Sequence, residues 1–395
     1  MRFLIAPDSF KGSCTARQAA EAIARGLKRG LPTAEVQLCP IADGGEGTVE
    51  AFAMALGGER RTTQVPAPLA DGPPVEAEWL WVPEQNLAVC EMAAAAGLPL
   101  VPSDRRDPTL TSSFGVGVML REALEQLDEG GQVYLGLGGS ATVDGGSGVL
   151  QGLGFRFLDA DGQEISKPMA GGMLDRVASV QPPDDLEELL AGKRIGCLVD
   201  VENPLLGSKG AAVVFGPQKG ATSQQVRQLE ANLTHWSDVL QRAFPERAAD
   251  IKTVSGGGAA GGISAGLNAA LGAEILPGAS TIFEAIGIDV RLDWADVVIV
   301  GEGQFDTTSL GGKGPGDLMK RAMRRGKHAV VIAGQVAFPA GELNQLGIRR
   351  AYNLIDRARS LDDAQTRTLE LLEETAQLYA LYEARQQPGR SGSPT

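Results

Sequence analysis

The sequence predicts an α/β protein, and three observations carry that prediction. Short continuous apolar runs, RFLIA at 2–6, DVVIV at 296–300 and HAVVIA at 328–333, each lead into a loop marked by Pro or Gly. Runs of this length without polar alternation suit parallel strands covered on both faces. Segments of helical period accompany them: residues 15–30 set Ala19, Ala20, Ile23 and Leu27 on one face, and Leu318, Met319 and Ala322 repeat that spacing. Strand, loop and helix alternate in this way at both chain ends, as in layered α/β architectures.

Taken in order, Pro7 ends the first strand and Thr15 is placed to cap the first helix. Residues 35–41 read as a second strand, 42–48 as an Asp- and Gly-rich loop, and 49–57 as a helix. The middle of the chain differs. Residues 64–84 are rich in Pro and acids, and VEAEWLWV at 75–82 alternates as an antiparallel edge or hairpin strand does. Strand-like runs follow at 87–91, 132–136, 155–158 and 195–199, with helices at about 114–127 and 223–243 and a helical, Ala-rich stretch at 259–271. This pattern predicts two domains. Residues 1–66 and 285–380 form a Rossmann-like parallel-sheet domain from both chain ends, and residues 67–284 form an inserted mixed α/β domain. Residues 381–395, ending in the polar, Pro- and Gly-rich QQPGRSGSPT, read as a disordered tail.

Composition narrows the class of function. Glycine supplies 52 of 395 residues without a three-residue period, so a collagen-like chain is excluded. A net charge of -13 disfavours a nucleic-acid partner, which needs a basic face. The four cysteines, at 14, 39, 90 and 197, form no CxxC pair and read as free thiols in a reducing compartment. Two histidines are too few for a His-rich zinc site. The N-terminus reaches an acid at position 8 with no signal-peptide core, and no stretch approaches the ~18 apolar residues of a membrane span. A cytoplasmic protein without membrane partners is expected.

Ligands of parallel α/β sheets bind where strands end. Here those ends read Asp8-Ser9-Phe10-Lys11-Gly12-Ser13, Asp43-Gly44-Gly45-Glu46-Gly47-Thr48 and Gly301-Glu302-Gly303-Gln304-Phe305-Asp306, then Ser309 and Gly312-Lys313. The middle adds Gly138-Gly139-Ser140-Ala141-Thr142-Val143-Asp144, Asp200-Val201-Glu202-Asn203 and Gly216-Pro217-Gln218-Lys219-Gly220. Glycine lets backbone N–H groups approach phosphate, lysine neutralises transferring charge, and carboxylates hold Mg²⁺ or orient a hydroxyl. One such loop is equally a tight turn with a helix cap; six of the same character point to phosphate chemistry. Two familiar motifs fail. Gly312-Lys313 lacks the upstream glycine of a P-loop, and Gly256–Gly261 meets the dinucleotide spacing only through glycine density, far from the N-terminal strand.

Together these loops resemble one family. APDSFKGS at 6–13, PIADGGEGT at 40–48, GLGGSATVDGGSG at 136–148, VDVENPLLGSKGAAVVFGPQKG at 199–220, GAAGGISAG at 258–266 and VGEGQFDTTSLGGKGPG at 300–316 are similar to segments of the bacterial glycerate kinases of the first type, which include the glycerate 2-kinases. The likeness spans roughly residues 1–380. It implies ATP-dependent phosphorylation of D-glycerate with Mg²⁺, and two α/β domains with the active-site cleft between them. Three positions depart from the family pattern: Val143 stands where Asn is usual, Glu202 where Asp or Thr is common, and Gln304 where Arg is frequent. Asp144, Asp200 and Asn203 are retained.

Phosphoryl transfer asks for in-line placement, charge neutralisation and a group that orients the hydroxyl. Lys11 is expected to meet the transferring phosphate or the acid's carboxylate. Asp8 and Asp43, at adjacent strand ends, compete with Asp200 as base or metal-site member. Ser9, Gly44, Gly45, Glu46, Ser140, Asp144, Asn203, Lys219, Gly257 and Lys313 are expected to bind substrate or phosphate, and Arg106 to anchor a carboxylate. Glu302 and Asp306 are expected at Mg²⁺. Glu91 precedes an Ala-rich stretch and is a further candidate, whereas His235 and His328 read as structural. The expected product is phosphoglycerate, 2-phosphoglycerate being favoured because the resembling family contains 2-kinases. A related small hydroxy acid as substrate, or a dinucleotide-dependent oxidoreductase, are the alternatives.

Overall fold

The computed structural model describes residues 1–307, 309, 314–338 and 340–386. The chain opens with β1 (Arg2–Pro7), α1 (Ala16–Gly30) and β2 (Glu35–Leu38). Thr15 caps α1 in a capping box with Gln18, which satisfies helix donors that would otherwise be orphaned. Phe3, Leu4 and Ile5 are fully buried, as a parallel strand with two covered faces requires.

The middle of the chain then supplies α2 (Thr48–Leu56), β3 (Glu59–Val65), β4 (Val75–Val82), β5 (Leu87–Glu91), α3 (Met92–Ala96), α4 (Phe114–Gln126), β6 (Gln132–Gly136) and α5 (Ser147–Gly152). It continues through β7 (Arg156–Leu158), β8 (Ser179–Gln181), α6 (Leu186–Leu190), β9 (Arg194–Val199), α7 (Ala211–Phe215), α8 (Ser223–Ala243), α9 (Ile263–Leu271) and β10 (Glu274–Pro277). Six of these strands form a sheet in the order β10-β9-β6-β5-β4-β3. Pairing is parallel from β10 to β5 and antiparallel from β5 to β3. The alternating 75–82 segment is thus a hairpin strand, with β3 at the edge. Trp79 is buried under the hairpin, and its indole N–H donates to Thr63 Oγ1 at 3.0 Å.

The C-terminal part adds α10 (Gly278–Ala285), α11 (Ile288–Trp294), β11 (Val297–Gly301), β12 (Gln304–Phe305), α12 (Gly314–Arg324), β13 (His328–Ala333), β14 (Gln335–Val336), α13 (Ala340–Gln345), β15 (Ile348–Asn353), α14 (Leu361–Thr366) and α15 (Thr368–Gln386). Strands β11, β13 and β15 join those of the N-terminus in a five-stranded, wholly parallel sheet of order β15-β13-β11-β1-β2, while β12 and β14 pair separately in parallel.

Contacts divide the chain into two units, residues 1–42 with those from 279 onward, and residues 43–278. Both boundaries differ from those expected at 66 and 285. Residues 59–65 pair with β4 along their whole length, which ties the segment after Ala42 to the six-stranded sheet. The last helix extends to Gln386, so residues 381–386 of the expected tail are helical; its residues 387–395 lie outside the described residues. That helix packs on α1 through two glycines. A Cβ on Gly26 would stand 2.1 Å from Glu373 O, and one on Gly30 would stand 2.5 Å from Gln377 O, so only glycine permits this approach. Among the described residues no helix is long and apolar enough to cross a membrane.

Candidate active site

In the terminal unit, β1 and β11 are neighbours, and their ends bring two of the expected loops together. The Asp8 backbone N–H donates to Gly301 O at 2.8 Å, and the Asp8 carboxylate accepts from Ser9 N–H at 2.6 Å. The chain then turns through Phe10–Cys14, where Lys11 is exposed and Gly12 adopts φ +79° with open space beside it. A Cβ on Gly303 would stand 3.9 Å from Lys11 N, and one on Gly314, at the start of α12, would stand 3.8 Å from Asp8 Oδ2. Asp8 therefore sits by the start of α12. Glu302 is partly buried directly after β11. Gln304 Nε2 donates to Asp306 Oδ2 at 3.1 Å, and Asp306 N–H to Ser309 Oγ at 3.1 Å. Lys313 lies outside the described residues.

The inserted unit places its candidates at the ends of β5, β6 and β9. Asp43 Oδ1 accepts from Gly45 N–H at 3.1 Å, Thr48 Oγ1 donates to Gly45 O at 2.8 Å, and Gly138 N–H donates to Gly44 O at 3.0 Å. The 43–48 loop is thereby stitched to the loop after β6. A Cβ on Gly138 would fall 2.4 Å from Gly45 Cα, and one on Gly44 2.9 Å from Leu198 O, so neither Gly44 nor Gly138 has room for a side chain. Glu46 is exposed. Glu91 accepts from Val49 N–H at 2.7 Å, which places a carboxylate on the N-terminus of α2. Burial pushes its carboxyl up to about 7, against the donors Val49 and Gly47.

Lys219 is held by protein acceptors. It is only 3% exposed, and its Nζ donates to Ser140 Oγ at 2.6 Å and Thr142 O at 2.8 Å. Burial pulls the ammonium down to about 7, while the charge of Asp144 pulls the other way. Asp144 is fully buried and accepts from Ser113 N–H (2.8 Å), Ser113 Oγ–H (2.7 Å) and Gly146 N–H (3.1 Å). Its carboxyl is raised by burial and lowered by those donors. Ser113 Oγ in turn accepts from Val149 N–H at 3.1 Å, within the first turn of α5. Two buried sets of hydrogen bonds, Lys219 with Ser140 and Thr142 and Asp144 with Ser113 and Gly146, thus brace the loop after β6. Ser113 was not singled out from sequence; the signal was its place just before the helix at 114–127.

Other candidates are also engaged by protein atoms. Asn203 Nδ2 donates to Lys209 O at 2.8 Å and Asn203 O accepts from Gly258 N–H at 2.8 Å, so this side chain holds its own loop. Gly257 is buried, its N–H engaged by Val254 O at 3.0 Å. The helix expected over 259–271 begins only at Ile263, because Ala260, Gly261 and Gly262 all take positive φ. A Cβ on Gly261 would lie 2.1 Å from Thr142 O, and one on Gly266 2.2 Å from Gly145 O. These glycines serve close contact between two protein loops. The same packing disposes of the 256–261 spacing as a dinucleotide fingerprint, since no strand leads into it. Val143 is core, and Asp200 follows β9 partly buried. Cys39, Cys90 and Cys197 are buried, and burial pushes every cysteine thiol up, Cys14 and Cys39 to about 11. His235 Nε2 lies 2.7 Å from Val177 O, a structural contact.

Among the described residues no group of three or more His, Cys, Asp or Glu is arranged to hold a metal ion. Mg²⁺ that arrives with a nucleotide needs only one or two carboxylates, the rest of its shell being phosphate oxygens and water. The hard oxygen donors of Glu302 and Asp306, in one loop at a parallel-strand end, fit that requirement.

With this geometry in place, the relatives become informative. The family model described as the glycerate kinase family matches residues 3–382. The chain is 41% identical over 378 residues to the glycerate kinase of Halalkalibacterium halodurans, covering 96% of this chain and 97% of the relative. It is 39% identical over 364 residues to the glycerate 2-kinase of Escherichia coli K12, covering 92% and 93%. A solved structure that carries the name glycerate kinase 2, from Salmonella typhimurium LT2, superposes with a TM-score of 0.82 at 37% identity, covering 98% of this chain and all of that one. Matched almost end to end in sequence and in fold, the chain belongs to the glycerate kinase family and is a phosphotransferase.

Proposed function

We propose that the protein transfers the γ-phosphoryl group of ATP to the 2-hydroxyl of D-glycerate, giving 2-phosphoglycerate. The observation that carries this reading is the near full-length match to a relative named for that activity, glycerate 2-kinase. The chemistry of the strand-end loops supports it. Lys11, exposed on a glycine turn beside Gly303, is suited to neutralise charge on the transferring phosphoryl group. Asp8, Asp43 and Asp200 each follow a parallel strand and are the carboxylates available to orient the acceptor hydroxyl and take its proton. The braced loop 138–140 holds its backbone in one conformation, which lets Gly139 and Ser140 meet an anion without reorganisation.

Mg²⁺, held by Glu302 and Asp306, would neutralise charge on the phosphate oxygens. ATP as the proposed co-substrate supports a cytoplasmic location. The test is phosphorus NMR of the product formed from ATP and D-glycerate. A 2-phospho product supports the reading; a 3-phospho product overturns the regiochemistry; turnover of another hydroxy acid in place of glycerate overturns the substrate. Asp8→Asn, Asp43→Asn and Asp200→Asn then identify the base as the variant that loses kcat with KM retained.

A further inference from the structure

Two adjacent arginines near the Lys219 loop have opposite fates. Arg105 is exposed and its guanidinium pairs with Asp71 at 2.7 Å. Arg106 is partly buried, and its Nε is shielded from solvent with no hydrogen-bond acceptor among the described residues. A buried guanidinium N–H without an acceptor carries a desolvation cost that an arriving anion relieves.

The acid nearest in sequence does not supply that anion. Asp107 Oδ1 accepts from Thr109 N–H at 2.9 Å and Thr109 Oγ1–H at 2.6 Å, and its Oδ2 accepts from Gln225 Nε2 at 2.8 Å. Nor is Arg106 loosely placed. Gly220, immediately after Lys219, packs on its backbone so closely that a Cβ there would lie 2.1 Å from Arg106 O and 2.8 Å from Arg106 Cβ. This contact sets Arg106 beside the network in which the Lys219 ammonium is already engaged by Ser140 and Thr142. The Nε–H of Arg106 is thus a shielded donor of this corner with no acceptor among the described residues, whereas Lys219 Nζ already makes two hydrogen bonds to protein oxygens, and the planar fork of an arginine matches a carboxylate in two parallel hydrogen bonds.

We infer that Arg106 anchors the carboxylate of the acceptor and makes the enzyme select a hydroxy acid over a neutral polyol. The inference rests on the acceptor proposed above and assigns the group that recognises it. Lys219 holds the wall of this site in place and does not itself bind the acid.

The experiment compares wild type with Arg106→Gln, Arg106→Lys and the control Arg105→Gln, using D-glycerate and glycerol as alternative acceptors. For Arg106→Gln the KM for D-glycerate is expected to rise about 10- to 100-fold, the loss associated with a charged hydrogen bond. The KM for ATP is expected to stay within about twofold, and the preference for D-glycerate over glycerol to collapse by the same factor. Arg106→Lys keeps the charge without the fork and is expected to fall between, and Arg105→Gln to match wild type. A second readout needs no turnover: calorimetric titration of D-glycerate and D-lactate into the ADP-bound protein. Acid binding that Arg106→Gln leaves intact overturns the anchor while the kinase reading stands. A rise in the KM for ATP alone overturns it as well, and gives the guanidinium to a phosphate. Should the wild type fail to phosphorylate glycerate yet bind hydroxy acids through Arg106, the anchor stands and the glycerate reading falls.

Discussion

The strand-end loops of the two units are built from the same residue types and behave in opposite ways. In the inserted unit, Lys219, Ser140, Asp144 and Ser113 are buried and their polar groups are turned on one another. In the terminal unit, Lys11 is exposed on a turn, next to a glycine with open space at its side. The difference teaches that a lysine near glycines does not by itself mark a phosphate ligand. Burial turns one such lysine onto protein acceptors, because a desolvated ammonium without them is costly. Exposure leaves the other available to a ligand that comes and goes.

Variants can break or sharpen that contrast. The largest effect is expected for Asp144→Ala, which leaves Lys219 without its buried counter-charge and frees the Ser113 donors; a loss of about 3–5 kcal/mol in urea unfolding is expected. Little change in stability would mean that the network is not a framework. Next comes Lys11→Ala, for which kcat/KM is expected to fall about 10²- to 10³-fold, the scale of removing one charge-stabilising donor. Its unfolding free energy is expected to stay within about 0.5 kcal/mol of wild type, as for other exposed sites. A destabilised Lys11→Ala with normal turnover would reverse the assignment of the two lysines.

Glu91 supplies a pH test. Burial raises its folded carboxyl from 4.5 to about 7, so the folded state holds the proton longer than the unfolded chain does. The stability tied to that proton is complete below about pH 4.5 and is lost as pH rises through about 7, a span of about 3 kcal/mol. Glu91→Gln is expected to flatten this part of the stability profile, read as the wild-type-minus-variant difference between pH 5 and pH 8. An unchanged slope would assign the carboxylate to solvent. The smallest effect is expected for Asn203→Ala, about 1 kcal/mol for one lost hydrogen bond to Lys209 O, with the KM values unaltered. A raised KM for either substrate would return Asn203 to the ligand site.

Much of the fold was legible in the sequence because it rests on local patterns. The segments at 87–91, 132–136 and 328–333 are strands with those same bounds, and the helix at 223–243 likewise keeps its ends. Thr15 caps α1 as its side chain and spacing require. What local pattern missed depends on long-range pairing. Residues 59–65 read as unremarkable until β4 is laid beside them, and the seat of α15 on α1 depends on Ala376 and Ala380 meeting Gly26 and Gly30, residues far away in sequence. For the candidate site, residue type identified the loops but not their roles. Lys219, Asn203 and Gly257 carry the chemistry of ligand residues and are engaged by protein atoms.

The sequence by itself determined the α/β class, the order of elements, the loops at the strand ends and, through their combination, the kinase family. These follow from periodicity, capping and motif, all of which act over a few residues or survive as exact strings. Only the tertiary structure decided which of the glycines yield space to another loop, where the chain passes from one unit to the next, and which cation is braced and which is left with donors to offer. Burial and hydrogen-bond satisfaction decide those points. Both are properties of the packed chain: Ser140 and Lys219 are far apart in sequence and meet at 2.6 Å only once the sheet has formed.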